Sequence, residues 1–209
     1  PRPDGRFMFG NCCCNGAYNV WSLILKGINV MNLNNESNLG KSVAHIRDAF
    51  DTQFEDECAS VAIHVLGSSH VIKRLKNFKR ISESFEKFPA CGEIDLLGID
   101  PAERIIHVID AKNGRSRMNP GGMKNNLKKF YLKKKSYLVK LKEKGDFVRD
   151  HIDDFVDYFN LPRNEKFQVV EAFVVTFNHP ASHYTVEKVN FVEKDRLKDY
   201  FLIKKKINV

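Results

Sequence analysis

The chain has 209 residues, of which 43% are hydrophobic and 29% charged, and its formal net charge is +8. This size and composition fit one globular domain, or one domain with an extension, that can bury a substantial core. No apolar run reaches the roughly 18 residues of a membrane-spanning helix. The chain opens with Pro1-Arg2-Pro3 and shows no signal peptide, so we expect a fragment or processed form, in the cytoplasm or wherever its substrate lies.

Residues 1–38 give few structural signals, and we interpret them as an N-terminal extension to a domain over residues 39–209. The extension contains the consecutive triplet Cys12-Cys13-Cys14. Zinc sites need spaced pairs of Cys or His, and no such spacing occurs here. Reduced thiols in a cytoplasmic protein are therefore the preferred interpretation.

Apolar residues recur at helical spacing between Val43 and Leu66, which predicts an amphipathic helix. Glu57 lies at the edge of the apolar stripe, and Glu55 lies close to it. The apolar stripe of this helix consists of Phe50, Phe54, Cys58, Val61 and Val65.

Residues 70–90 alternate basic and apolar character, which fits either a first strand with a basic loop or a further helix.

Two apolar runs, Ile94–Ile99 and Ile105–Ile109, flank a polar turn that contains Pro101, which predicts a β-hairpin. Strand side chains alternate between faces, so Asp95 and Asp110 are expected on the same face, with Lys112 beyond them. A turn centred near residues 101 and 102 would place the two acids diagonally adjacent. Burying two carboxylates at the end of apolar strands is costly without a partner, and a divalent cation is a partner that suits them.

Asp95, followed by a hairpin and then Asp110-Ala111-Lys112, resembles the signature of the PD-(D/E)XK nuclease superfamily. The resemblance implies a restriction-endonuclease-like α/β fold, with an αβββαβ core and a mixed central sheet flanked by helices. It also implies Asp95 and Asp110 as ligands of Mg²⁺ or Mn²⁺, and Lys112 as the residue that positions or activates the attacking water. Members of the family often place a Glu of the first core helix near the metal. Glu57 is therefore the candidate third ligand and catalytic residue, and Glu55 is the second choice.

A lysine-rich segment follows the hairpin: residues 123–142 contain eight Lys and no acid. Such a charge favours a polyanionic partner, of which nucleic acid is the commonest, although a solvated helix face would have the same composition. Residues 123–144 are predicted to form one helix, in which Lys134 falls within the apolar stripe. The candidate phosphate-contacting residues are Arg115, Arg117, Lys124, Lys128 and Lys134.

The remaining segments alternate between helical and strand patterns. Residues 146–159 predict an amphipathic helix, residues 167–177 a strand buried on both faces, and residues 191–201 a short strand followed by a helix. This order fits the core that the resemblance implies.

The expected function is metal-dependent endonucleolytic hydrolysis of nucleic acid, with DNA the expected substrate. One alternative is a non-cleaving nucleic-acid-binding module of the same fold within a larger protein, and another is a domain whose basic helix binds an acidic protein. Either a homodimer or a domain of a larger protein is compatible with the sequence, and no membrane partner is expected.

Overall fold

A computed structural model describes residues 18, 21–22, 34, 36–114, 120–163, 165–176, 180–183 and 189–203. The chain divides into two compact units, Pro1–Asp51 and Thr52–Val209. The domain boundary expected between residues 38 and 39 stays a prediction. Within the described residues, no helix has the length and apolar character needed to cross a membrane.

Ten regular helices and strands follow one another along the described residues from Asn38 onward. The helices are α1 (Asn38–Leu66), α2 (Pro120–Leu127), α3 (Tyr137–Asp150), α4 (Ile152–Tyr158) and α5 (Leu197–Ile203). The strands are β1 (Val71–Leu75), β2 (Ile94–Asp100), β3 (Ile105–Lys112), β4 (Gln168–Val175) and β5 (Asn190–Glu193). The protein is therefore of the mixed α/β class, as expected.

The strands form a five-stranded sheet in the order β1-β2-β3-β4-β5. Strands β1, β2 and β3 are antiparallel neighbours, whereas β4 runs parallel to β3 and β5 runs parallel to β4. The sheet is therefore mixed. Parallel neighbours need a long crossover, and the segment that carries α2, α3 and α4 connects β3 to β4.

Each face of the sheet packs on a different set of helices. On one face, Leu97 and Val108 share a core with Leu141 and Val148 of α3 and with Phe155 of α4. The other face holds a second core, formed by residues 54–66 of α1, by α5 and by the sheet residues Leu96, Ile109, Ala111, Ala172, Val174 and Val192. Because successive strand residues alternate faces, the even-numbered residues of β3, Asp110 and Lys112 among them, belong to the α3 face.

The β2–β3 hairpin closes through a turn that the Asp100 side chain caps. Its Oδ1 accepts hydrogen bonds from the backbone N–H groups of Ala102, at 3.1 Å, and Glu103, at 3.2 Å. Arg104 completes the turn with a φ of 55°. Since Asp100 pairs with Ile105, the turn is centred between residues 102 and 103, not between 101 and 102 as expected.

Several predicted boundaries need correction. The helix expected over residues 123–144 is interrupted: α2 ends at Leu127, a π-helical turn spans Lys128–Leu132, and α3 starts after Ser136. The Ser136 hydroxyl caps α3 by accepting a hydrogen bond from the N–H of Val139 at 3.3 Å. The helix expected over residues 146–159 is the end of α3 followed by α4.

Two burial expectations were also only partly met. Phe50 of the predicted apolar stripe is exposed, whereas Phe54 and Cys58 are buried. Strand β4 is fully buried only in its second half, over Ala172–Val175. The first of the alternatives for residues 70–90 is the one observed, because β1 spans Val71–Leu75 and a loop follows it.

Candidate active site

The hairpin register brings Asp95 and Asp110 face to face. Leu96 pairs with Ile109, so the next residues outward on the two strands, Asp95 and Asp110, are opposite one another. The expected diagonal arrangement was wrong by two residues, because the turn is centred later than predicted. A shift of two residues preserves the face of every side chain, which is why the predicted common face of the two acids is correct.

Three oxygen atoms converge on the Lys112 ammonium group. Its Nζ lies 2.6 Å from Asp110 Oδ2 and 3.6 Å from Asp95 Oδ2, and it donates to the backbone carbonyl of Ala111 at 3.3 Å. The Asp95 carboxylate is also fixed by the sheet, because its Oδ2 accepts a hydrogen bond from the Ala111 N–H at 2.9 Å. The ring of Tyr137 lies 5.2 Å from Lys112 Nζ on the α3 side. The arrangement is a cluster of oxygen ligands around one positive charge.

Lys144 of α3 is a second ammonium group at this site, and sequence reasoning missed it. It pairs with Asp110 Oδ1, and its Nζ lies 3.7 Å from Asp95 Oδ1. The spacing held a usable signal, because Lys144 falls between Leu141 and Val148 on the buried face of α3. Placing a helix boundary at Lys144 concealed that signal.

The two carboxyl groups have opposite pKa shifts. Burial, followed by the nearby charge of Asp110, raises the pKa of Asp95 to about 7. Burial also opposes ionisation of Asp110, but Lys112 and Lys144 outweigh it and hold the pKa of Asp110 below its usual value. For Lys112, burial favours the neutral amine, yet Asp110 and Asp95 raise its pKa above the ordinary lysine value. Lys112 therefore stays protonated at neutral pH.

The four charged groups line a cleft of about 1190 Å³ instead of being sealed inside the protein. The side chains of Lys112 and Asp95 are 25% and 14% exposed, so a ligand in the cleft can reach them. Asp110, at 4%, and Lys144, at 8%, form the floor. The ion pairs thus leave an opening to the carboxylates.

Glu57 does not belong to this cluster in the structure. Its carboxylate pairs with Lys194 Nζ at 2.8 Å and accepts a hydrogen bond from Gln53 at 2.9 Å. Both contacts lower the pKa of Glu57, and it does not line the cleft. The second choice, Glu55, pairs with Arg74 at 2.8 Å but is close enough to contribute to the raised pKa of Asp95.

The predicted phosphate-contacting residues differ in whether the structure describes them and in where they lie. Lys124 and Lys128 are exposed on α2 and the π-helical turn. Lys134 is also exposed, in the turn before α3, although the sequence places it within the apolar stripe; the buried lysine is Lys144. Arg115 and Arg117 lie outside the described residues, as does the triplet Cys12-Cys13-Cys14.

The donor chemistry of the cluster fits a hard divalent cation. Among the residues that the structure describes, no group of three or more His, Cys, Asp or Glu side chains is arranged to hold a metal. Asp95, Asp110 and the Ala111 carbonyl nevertheless direct three oxygens toward the same cationic group. Mg²⁺ is commonly bound by one or two carboxylates, with waters and substrate phosphate completing its shell.

Comparison with known proteins gives no match: no family model, curated protein or solved structure is similar to this chain.

Proposed function

We propose that this chain is a metal-dependent nuclease of the PD-(D/E)XK type, which hydrolyses phosphodiester bonds of nucleic acid, with DNA the expected substrate. The observation that carries the proposal is the convergence of Asp95 Oδ2, Asp110 Oδ2 and the Ala111 carbonyl on Lys112 Nζ, at 3.6, 2.6 and 3.3 Å. Acidic and amino groups this close, on adjacent strands at the floor of a cleft, suit hydrolysis of a phosphate ester.

The order of secondary structure supports the proposal. A helix, three antiparallel strands, a helical crossover and a strand parallel to β3 follow one another along the chain. This order agrees with the αβββαβ core of the resembled family. Asp95 and Asp110 lie on the β2–β3 hairpin.

Asp95, Asp110 and the Ala111 carbonyl are the groups that would hold Mg²⁺ or Mn²⁺. A divalent cation held by these groups would supply a more acidic bound water and neutralise charge that develops on the phosphoryl oxygens. The two lysines compensate the carboxylates when no such cation is bound.

Lys112 would act by donating hydrogen bonds, not by removing a proton. Its raised pKa keeps it an ammonium at neutral pH, and an ammonium has no lone pair with which to act as a base. From its position beside Asp110 it can orient the attacking water or donate to a phosphoryl oxygen. Lys144 would act as a positioning residue, since it is buried and pairs with the carboxylates.

Exposed lysines provide the affinity for the nucleic-acid backbone. Lys135 and Lys140 line the same cleft, and Lys124 and Lys128 are exposed on the preceding segment. Contacts of this type are independent of sequence and weaken steeply as salt is raised.

One observation favours the non-cleaving binding module as the second candidate. Both oxygens of Asp110 already have lysine partners, and Glu57 is engaged by Lys194, so the acids are compensated without any metal. Such a cleft could hold nucleic acid through its lysines alone.

A cleavage assay separates the two candidates. The full chain is incubated with labelled single-stranded and duplex DNA and with RNA, in Mg²⁺, in Mn²⁺ and in EDTA. We expect cleavage that depends on the metal and disappears in Asp110→Ala. Asp110→Asn is an isosteric second variant and should behave in the same way. Circular dichroism checks that both variants are folded. Asp153→Asn, at an exposed acid outside the cleft, is the control and should cleave like the wild type. Cleavage that persists in both Asp110 variants would defeat the proposal.

A further inference from the structure

Helix α3 and the residue after it direct one stripe of side chains into the cleft. Its members recur at alternating spacings of three and four residues, which keeps them on one helical face: Tyr137, Lys140, Lys144, Phe147 and His151. The stripe begins beside the carboxylates and ends in two rings. A helix rises about 1.5 Å per residue, so Lys144 and His151 are on the order of 10 Å apart along its axis.

The ring-bearing part of this stripe belongs to an aromatic cluster of three mutually contacting rings, Phe85, Phe147 and His151. The centroids are 5.4 Å apart for Phe85 and Phe147, 4.8 Å for Phe85 and His151, and 4.7 Å for Phe147 and His151. Phe147 also packs edge-to-face against Phe78, with ring centroids 5.2 Å apart. Phe85 is buried, but Phe147 is partly exposed and the His151 side chain is 41% exposed. The cluster thus offers a fixed aromatic surface to a ligand in the cleft.

Charge is divided unevenly along the cleft. At the lysine end, Lys112, Lys140 and Lys144 offset the carboxylate pair and Glu143, which also line the cleft. At the other end the rings have three acidic sequence neighbours that line the cleft, Glu86, Asp146 and Asp150, of which Asp146 pairs with Arg149. Phosphate would be repelled at that end. A nucleobase carries no net charge, and its amino and imino N–H groups can donate hydrogen bonds to carboxylates. The aromatic end therefore suits a base and the lysine end suits a phosphate.

We infer, on the basis of the proposed function, that the cleft binds one nucleotide whose base is unstacked, with its phosphate at the lysines and its base against Phe147 and His151. The substrate class is single-stranded nucleic acid, DNA or RNA. A base inside a duplex has both faces covered by its neighbours and cannot stack on protein rings without first being extruded. Stacking on aromatic side chains is tolerant of sequence, because every base has a π-face.

Binding without cleavage tests this inference separately from hydrolysis. Fluorescence anisotropy in EDTA compares labelled single-stranded DNA, single-stranded RNA and duplex DNA on the full chain. The variants are Phe147→Leu, which keeps apolar volume but removes the ring, and His151→Ala. The control is Tyr158→Leu, which removes a partly buried ring outside the cleft.

We expect each cleft variant to lose about 5-fold or more in single-strand affinity, with duplex affinity changed by less than about 2-fold and the control unaffected. If the affinities for single-stranded DNA and single-stranded RNA differ, the strand that binds more tightly is the preferred ligand. Equal affinity of both cleft variants and the wild type for single strands would overturn the inference, as would wild-type binding of duplex as tight as that of single strands.

The outcomes separate this inference from the proposed function. Ring-dependent binding of single strands without any metal-dependent cleavage would support the base site and defeat the hydrolase. Metal-dependent cleavage of duplex that the ring variants leave unchanged would support the hydrolase and defeat the base site.

Discussion

The replacement Lys144→Met tests whether the carboxylates depend on their buried lysine. Methionine keeps the aliphatic stem but removes the ammonium that pairs with Asp110 and lies 3.7 Å from Asp95. The side chains of Lys144 and Asp110 are only 8% and 4% exposed, so water from the cleft can replace the lost partner only in part. Breaking a buried ion pair by removing one member costs about 3 kcal/mol or more, and Lys112 remains to compensate part of the charge. We therefore expect the free energy of unfolding to fall by about 3 kcal/mol.

The loss should depend on pH in a defined direction. In the wild type the pKa of Asp95 is raised to about 7, and Lys144 is one of the charges that lower it. Lys144→Met should raise that pKa further, so the folded variant binds more protons than the folded wild type as pH rises from about 6 to about 8. The destabilisation by Lys144→Met should therefore be larger at about pH 8 than at about pH 6.

Urea denaturation of the full chain in EDTA measures both effects. The control is Lys142→Met, at an exposed lysine of the same helix, which should change stability by no more than about 0.5 kcal/mol. A Lys144→Met protein as stable as the wild type at both pH values would refute the view that Lys144 holds the carboxylate pair.

Three further predictions concern other parts of the molecule. Gly145→Ala should lower stability by about 1–3 kcal/mol in thermal denaturation, because an added Cβ would lie only 2.7 Å from Cγ and Cδ of Glu171. Burial raises the pKa of Cys58 to about 12 and that of Cys91 to about 11, so iodoacetamide at neutral pH, followed by peptide mass spectrometry, should label both slowly and Cys58 more slowly. Labelling of Cys91 should accelerate as pH rises. Lys128→Ala should reduce the slope of log affinity against log salt for nucleic acid by about 1, as measured by anisotropy titrations.

Each of these predictions has a contradicting result. An unchanged melting temperature for Gly145→Ala would mean that Glu171 moves aside at no cost. Labelling of Cys58 as fast as that of a free thiol would show that its burial is not maintained in solution. A salt slope that Lys128→Ala leaves unchanged would exclude Lys128 from the proposed nucleic-acid contacts.

The hairpin and its acids could be predicted because strand alternation is a local property. Two apolar runs around Pro101 predict the hairpin. A shift of the strand pairing by two residues leaves every side chain on the same face, so Asp95 and Asp110 lie on the same side in the expected pairing and in the observed one. The register itself depended on the Asp100 cap and on the φ of Arg104, neither of which the pattern of apolar residues encodes. The direct opposition of the acids was therefore missed.

The contribution of α3 was missed for a different reason. The lysines before it are good helix formers, so residues 123–144 read as one continuous helix. The helix is interrupted after Leu127, and the Ser136 cap begins α3 in a new helical phase, in which Lys144 is buried and Lys134 stays exposed before the helix. The ion pair of Glu57 could not be predicted from the local sequence, because only the fold brings Lys194 Nζ within 2.8 Å of the Glu57 carboxylate.

The binding of Mn²⁺ to the full chain tests the central claim most directly, and electron paramagnetic resonance can follow it as loss of the free-ion signal. If Asp95, Asp110 and the Ala111 carbonyl form a site for a hard cation, the wild type should take up Mn²⁺, Mg²⁺ should compete for it, and Asp110→Asn should abolish the uptake. Mn²⁺ that stays free in the presence of the wild type, or that binds equally well to Asp110→Asn, would contradict the claim.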